Sequence, residues 1–159
     1  MYQKIMVPLD GSQLAECVLP HVESIAKGCT LAQVILVRVV EPIHLPVGGW
    51  RYTFPKEEED RTRKELADLI KNEAEKYLKS LKEQSRFGGL DVQTVVLVGK
   101  VVEELMAYAE KQEVDLFVMA THGESGVSRW VWGSVADRIL RSSCVPVLMV
   151  RAPGCVPGI

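Results

Sequence analysis

Residues 118–134 read Val118-Met119-Ala120-Thr121-His122-Gly123-Glu124-Ser125-Gly126-Val127-Ser128-Arg129-Trp130-Val131-Trp132-Gly133-Ser134. The stretch opens as the end of an apolar strand, passes through a glycine-bearing turn, and ends where a helix with an apolar face begins. Glycine lets the backbone approach an anion closely and adopt positive φ. The first turn of a helix leaves N–H groups and a partial positive charge aimed outward. Gly123 at the strand end, with Gly133 and Ser134 at the helix start, therefore suits a phosphate chain. The same residues have a plainer use, as glycines that permit turns and a serine that caps a helix. Taken alone, the stretch leaves these two readings level.

Working outward, five runs are rich in β-branched or large apolar residues, at 4–9, 33–40, 92–98, 115–120 and 145–150. Most are nearly continuous in hydrophobicity and not alternating, the pattern of strands covered on both faces. Four segments of helical period lie between them. The first, 12–27, puts Leu14, Cys17, Val18, Val22, Ile25 and Ala26 on one face, with Ser12 as N-cap and a kink predicted at Pro20. The second, 57–84, carries Leu66, Leu69, Ile70, Tyr77, Leu78 and Leu81 on a stripe. The third spaces Val102, Leu105, Met106 and Ala109 at i, i+3, i+4 and i+7, and the fourth, 134–141, shows Val135, Ile139 and Leu140. Strand and helix in alternation imply parallel strands joined by right-handed crossovers.

Composition narrows the function classes. A chain of 159 residues, 47% apolar and 25% charged, suits one soluble domain, expected over 1–151 with a flexible tail at 152–159. A net charge of −2 with mixed signs gives no basic stripe for nucleic acid. The longest apolar run, 34–40, is interrupted by Arg38 and far too short for a bilayer. Strand character from Lys4 onward leaves no room for a signal peptide, so a cytoplasmic location is expected. Cys17, Cys29, Cys144 and Cys155 lack metal-ligand spacing and read as reduced thiols. Segment 41–56, with Trp50, Tyr52 and Phe54, reads as a mobile connection, a lid or part of an interface.

The chain lacks the G-x-x-x-x-G-K-[ST] loop and its phosphate lysine, and lacks G-x-G-x-x-G after the first strand. No nucleophile elbow is present. No residue is assigned a catalytic or metal-ligand role, and fast chemistry is not expected. His122 and Arg129 are weaker candidates for a phosphate contact, Glu124 is the sole candidate base, and Trp130 and Trp132 read as packing residues.

The spacing of Ala120, two residues, Gly123, nine residues and Gly133-Ser134 resembles the nucleotide signature of the universal stress protein family. That signature reads glycine, two residues, glycine, nine residues, then glycine followed by serine or threonine. Lys4-Ile5-Met6-Val7-Pro8-Leu9-Asp10-Gly11-Ser12 resembles the family's first strand and turn, and Val34-Ile35-Leu36-Val37-Arg38-Val39-Val40 its second strand. Gly99 and the ending Ser143-Cys144-Val145-Pro146-Val147-Leu148-Met149-Val150 also match, so the resemblance spans residues 3–151. It departs at Ala120, which stands where the signature has its first glycine; the added methyl group is expected to weaken nucleotide binding without abolishing it.

The resemblance implies a five-stranded parallel sheet, order 3-2-1-4-5, with helices on both faces. Its winding reverses between strands one and four, where open α/β sheets take their ligands. It implies ATP, bound with magnesium or manganese that keeps few protein ligands. Pro8, Asp10 and Val39 are expected at the adenine and ribose, and Met119, Ala120 and Gly123 along the ribose and α-phosphate. Gly133, Ser134 and Val135 are expected at the outer phosphates. The implied function is a regulatory stress-response module with little turnover, acting as a homodimer through strand 145–150 and through unknown protein partners. Two other functions are consistent with the residues: a slow ATPase or nucleotidyl-transfer enzyme, and a nucleotide-free interaction domain.

Overall fold

In a computed structural model, residues 2–28, 33–42, 56–84, 87, 89–121 and 133–151 are described. The strands are β1 (Lys4–Pro8), β2 (Gln33–Val40), β3 (Asp91–Val98), β4 (Leu116–Ala120) and β5 (Val147–Val150). The helices are α1 (Gln13–Glu16), α2 (Leu19–Gly28), α3 (Lys56–Gln84), α4 (Val101–Lys111) and α5 (Ser134–Ser142). All strand pairs are parallel, and the order is β3-β2-β1-β4-β5, as the sequence reading expects.

The near-continuous hydrophobicity of the strands has a direct cause. Successive side chains on a strand point to opposite faces, and here each face is covered by helices. Ile5, Val7 and Leu9, with Val34, Leu36, Leu116 and Val118, pack with α1, α2 and the end of α3. Met6, Ile35, Val37, Phe117 and Met119 pack with α4 and α5. Phe117 is fully buried at the centre of the second layer. No helix among the described residues is long and apolar enough to cross a membrane.

Two helices differ from their predicted outline. The single kinked helix expected over 12–27 is two helices, broken at Cys17 and Val18 ahead of Pro20. Proline has no N–H to continue α1, and its fixed φ suits the first turn of a new helix. Pro20 is accordingly the second residue of α2, and the His21 N–H donates to the Val18 carbonyl at 3.0 Å. The stripe predicted on α3 is used only in its second half: Ala74, Leu78 and Leu81 are buried, whereas Leu69 is 61% exposed. In the first half Leu66 and Ile70 are half-buried, so the cover over this stripe is partial there.

Cys17 sits half-buried against the first layer, where burial pushes its thiol up and away from thiolate. Cys144 is exposed. Segment 43–55, Cys29, Cys155 and the tail 152–159 lie outside the described residues.

Candidate functional site

The crossover after β1 leads to one face of the sheet and the crossover after β4 to the other. Between these strands the ladder pairs Ile5 with Leu116 and Met6 with Phe117, and a crevice opens beyond it at the carboxyl ends. This is where the winding of an open α/β sheet leaves room for a ligand.

The β1 side of the crevice is a tight turn. The Leu9 N–H donates to the Val37 carbonyl at 2.8 Å, holding the strand end to β2. Asp10 follows, and its Oδ1 accepts both the Ser12 N–H at 2.9 Å and the Ser12 hydroxyl at 2.7 Å. Ser12 Oγ accepts the Ala15 N–H at 3.1 Å and so caps α1. Asp10 therefore has the structural task of bracing the cap, and its exposed carboxylate also borders the crevice.

The other side is built by a chain reversal. The Thr121 N–H, just past β4, donates to the Val150 carbonyl at 2.9 Å, and the Thr121 carbonyl accepts the Gly133 N–H at 2.8 Å. The end of β4 and the start of α5 are thus joined directly at Thr121 and Gly133. Gly133 is the N-cap of α5, with φ −52° and ψ 140°, and it has no side chain with which to cap the helix. The first-turn N–H groups of α5 therefore point outward at the crevice, with the positive end of the helix dipole behind them. The two helix starts differ in that α1 carries its own side-chain cap and α5 does not.

Together these elements enclose a cavity of about 190 Å³. Pro8, Leu9 and Asp10 come from β1 and its turn, Val37 and Val39 from β2, and Met119, Ala120 and Thr121 from the end of β4. Ala15, Val101 and Leu105, with Gly133, Ser134, Val135 and Ala136, complete the lining. Eight of the nine residues singled out from sequence are thereby brought together: Pro8, Asp10, Val39, Met119, Ala120, Gly133, Ser134 and Val135. Gly123 lies outside the described residues, as do His122, Glu124, Arg129, Trp130 and Trp132.

The sequence reading did not single out Val101, Leu105 or Thr121 as lining residues. Leu105 was on the page as part of a helical stripe, which by itself says only that the residue faces inward. Chemically, the crevice is apolar along β2, α4 and Met119, carries one carboxylate at the β1 turn, and offers backbone donors at α5. A flat heterocycle with hydroxyl and phosphate groups fits that donor set. Among the described residues no cluster of His, Cys, Asp and Glu could hold a metal ion.

A doubly covered parallel sheet in this order, with an uncapped helix start at its reversal point, defines a nucleotide-fold α/β protein. The sequence pattern of the universal stress protein family matches residues 1–151, and the chain belongs to that family. It is 32% identical to universal stress protein MJ0531 of Methanocaldococcus jannaschii over 157 residues, covering 96% of this chain and 84% of that protein. It is 30% identical to universal stress protein MJ0577 of the same organism, covering 95% and 96% of the two chains. The solved structure of MJ0577 superposes with a TM-score of 0.79 over 97% of this chain and 99% of that one. A universal stress protein family member of Arabidopsis thaliana, solved with AMP bound, shares the fold at a TM-score of 0.62 and 13% identity, over 96% and 93% of the chains.

Proposed function

We propose that this chain binds ATP in the crevice between β1 and β4 and serves as a nucleotide-responsive module of the stress-response type. The observation that carries this reading is the uncapped start of α5, pinned to the end of β4 by the Gly133–Thr121 hydrogen bond. Its backbone donors lie across one apolar crevice from the Asp10 carboxylate. Pro8, Val39 and Met119 form apolar surface for the base, and Asp10 accepts from its amino group or from the ribose hydroxyls. Ala120 lies along the ribose and α-phosphate, and the sequence pattern assigns Gly123 to the same part of the ligand. The N–H groups of Ser134 and Val135, with the Ser134 hydroxyl, hold the outer phosphates, as helix starts commonly do. AMP in the Arabidopsis protein of the same fold supports this ligand class.

Magnesium or manganese would accompany the phosphates and neutralise part of their charge. Magnesium commonly takes few protein ligands in such sites. The residues assigned here bind and orient, and none is given a bond-breaking task.

Calorimetry with ATP and magnesium tests the placement. Gly123→Val adds a branched side chain at the glycine that the sequence pattern assigns to the α-phosphate, so ATP affinity is expected to fall while the melting temperature without ligand changes little. Equal affinity in the wild type and this variant would remove the crevice from consideration.

A further inference from the structure

Behind the crevice, on the face of the sheet that carries α1 to α3, lies a polar group of side chains with no part in the reading above. Arg38 interrupts the apolar run of β2 and points away from the face that holds Val37 and Val39. Its guanidinium carbon stands 5.3 Å from the ring centroid of Tyr77 on α3. The Tyr77 hydroxyl in turn donates to Glu16 Oε1 on α1 at 3.1 Å. The guanidinium also lies close to Gly11, the residue after Asp10. A Cβ built on Gly11 would come within 2.9 to 3.0 Å of Arg38 Nη1, Nη2 and Cζ. Gly11 also has φ +97°, a conformation that side chains other than glycine rarely adopt.

The arrangement is a flat cation close to both an aromatic plate and a backbone turn. Arginine suits this place because its guanidinium is planar, always charged and stacks on rings, whereas an ammonium group is compact and strongly hydrated. Arg38, Tyr77 and Glu16 are all half-buried. Burial, followed by the charge and hydrogen bond of Glu16 and the charge of Asp10, pushes the Tyr77 hydroxyl well above its ordinary value; Arg38 acts in the opposite sense. Asp10, Glu16 and Arg38 thus share one neighbourhood, and the tyrosine stays neutral at physiological pH.

We infer that Arg38 is a positioning residue for the nucleoside end of the site. Stacked on Tyr77, it backs Gly11 from behind and sets the turn that presents Asp10 to the crevice. This rests on the ATP reading above and extends it to a residue that does not line the crevice. The turn that Arg38 backs follows β1, whereas the outer phosphates are assigned to the start of α5, so the effect is expected on adenosine more than on the phosphates.

Full-length wild type, Arg38→Met and Arg38→Lys are to be titrated with ATP, adenosine and inorganic tripolyphosphate, and melted without ligand. Arg38→Met keeps the aliphatic stem and removes the fork; ATP and adenosine affinity are both expected to fall by about tenfold, the scale of a half-buried cation–π contact. Tripolyphosphate affinity is expected to stay within about twofold, which a general loosening of the fold would not allow. Arg38→Lys keeps the charge and is the variant expected to fold most normally; about a threefold loss for adenosine is expected. Wild-type ATP affinity in Arg38→Met, or equal losses for adenosine and tripolyphosphate, would overturn the positioning role while leaving ATP binding in place. A wild type that binds no ATP would overturn both.

Discussion

Ala120 ends β4 with a methyl group, at the position where the sequence reading expects a glycine in the nucleotide signature. It is 9% exposed, packs in the layer that includes Ala15 and Val118, and still lines the crevice. The side chain therefore has two neighbourhoods, the α1 layer that it fills and the crevice proposed for the nucleotide. Ala120→Gly is expected to tighten ATP binding severalfold in calorimetry. Without ligand the variant is expected to melt earlier, because glycine in a strand costs about 0.5–1 kcal/mol relative to alanine. Unchanged affinity would show that the methyl group stays clear of the nucleotide. Gly11 and Arg38 make a complementary pair at the opposite wall: one must be small so that the other can lie flat against it.

Among the elements, β5 is one whose outer edge pairs with no other strand among the described residues. It is an end strand of the sheet, paired to β4 through Phe117–Val147 to Ala120–Val150. Its segment carries no charge, and Leu148 is 38% exposed. An uncharged edge with free N–H and C=O groups is a template for another strand. The proposed homodimer uses this edge, with a second copy of the chain as partner. Light scattering at micromolar concentration is expected to give a dimer for the wild type and a monomer for Val147→Lys. A monomeric wild type would count against the edge as an interface. At the opposite end β3 is an edge strand as well, distinguished by the charged Asp91, while α3 covers one face of the sheet and buries Leu78 and Leu81.

At the scale of the whole molecule, two helical layers and one sheet place a binding crevice at the reversal of the winding, and nothing assigned to it performs chemistry. Phosphoryl transfer needs an oriented nucleophile and cations that stabilise charge on the transferred group. Backbone donors that hold ground state and transition state equally give no acceleration. Asp10 is braced against Ser12 and is assigned to the nucleoside end of the proposed ligand, not to its outer phosphates. A phosphate-release assay with magnesium is therefore expected to show turnover far below the roughly 1–100 s⁻¹ of kinases. Turnover in that range, lost in Glu124→Gln or Arg129→Ala, would establish an enzyme in place of a binding module.

The fold was legible because its signal is local and repeated. Runs such as Val34-Ile35-Leu36-Val37 contain no polar alternate, so a strand made from them has to be covered on both faces. Helical stripes between such strands leave few topologies open. The candidate site was legible at Asp10, Gly133 and Ser134 because turn and cap residues declare themselves by type and spacing. Pro20 was visible as an interruption, but whether it bends one helix or starts another depends on how the preceding turn closes, and the sequence does not settle that. Leu69 was misplaced for a related reason: a stripe records which residues share a face, while the packing beneath decides how much of that face is covered. By itself the sequence determined the strand order's ingredients, the turn residues and the family. Only the tertiary structure decided that Thr121 pins Gly133, that Leu105 reaches the crevice, and that Arg38 lies close to both Tyr77 and Gly11. Those contacts join residues far apart in the chain, and a side chain's role in such a contact is set by which neighbour the packing brings to it.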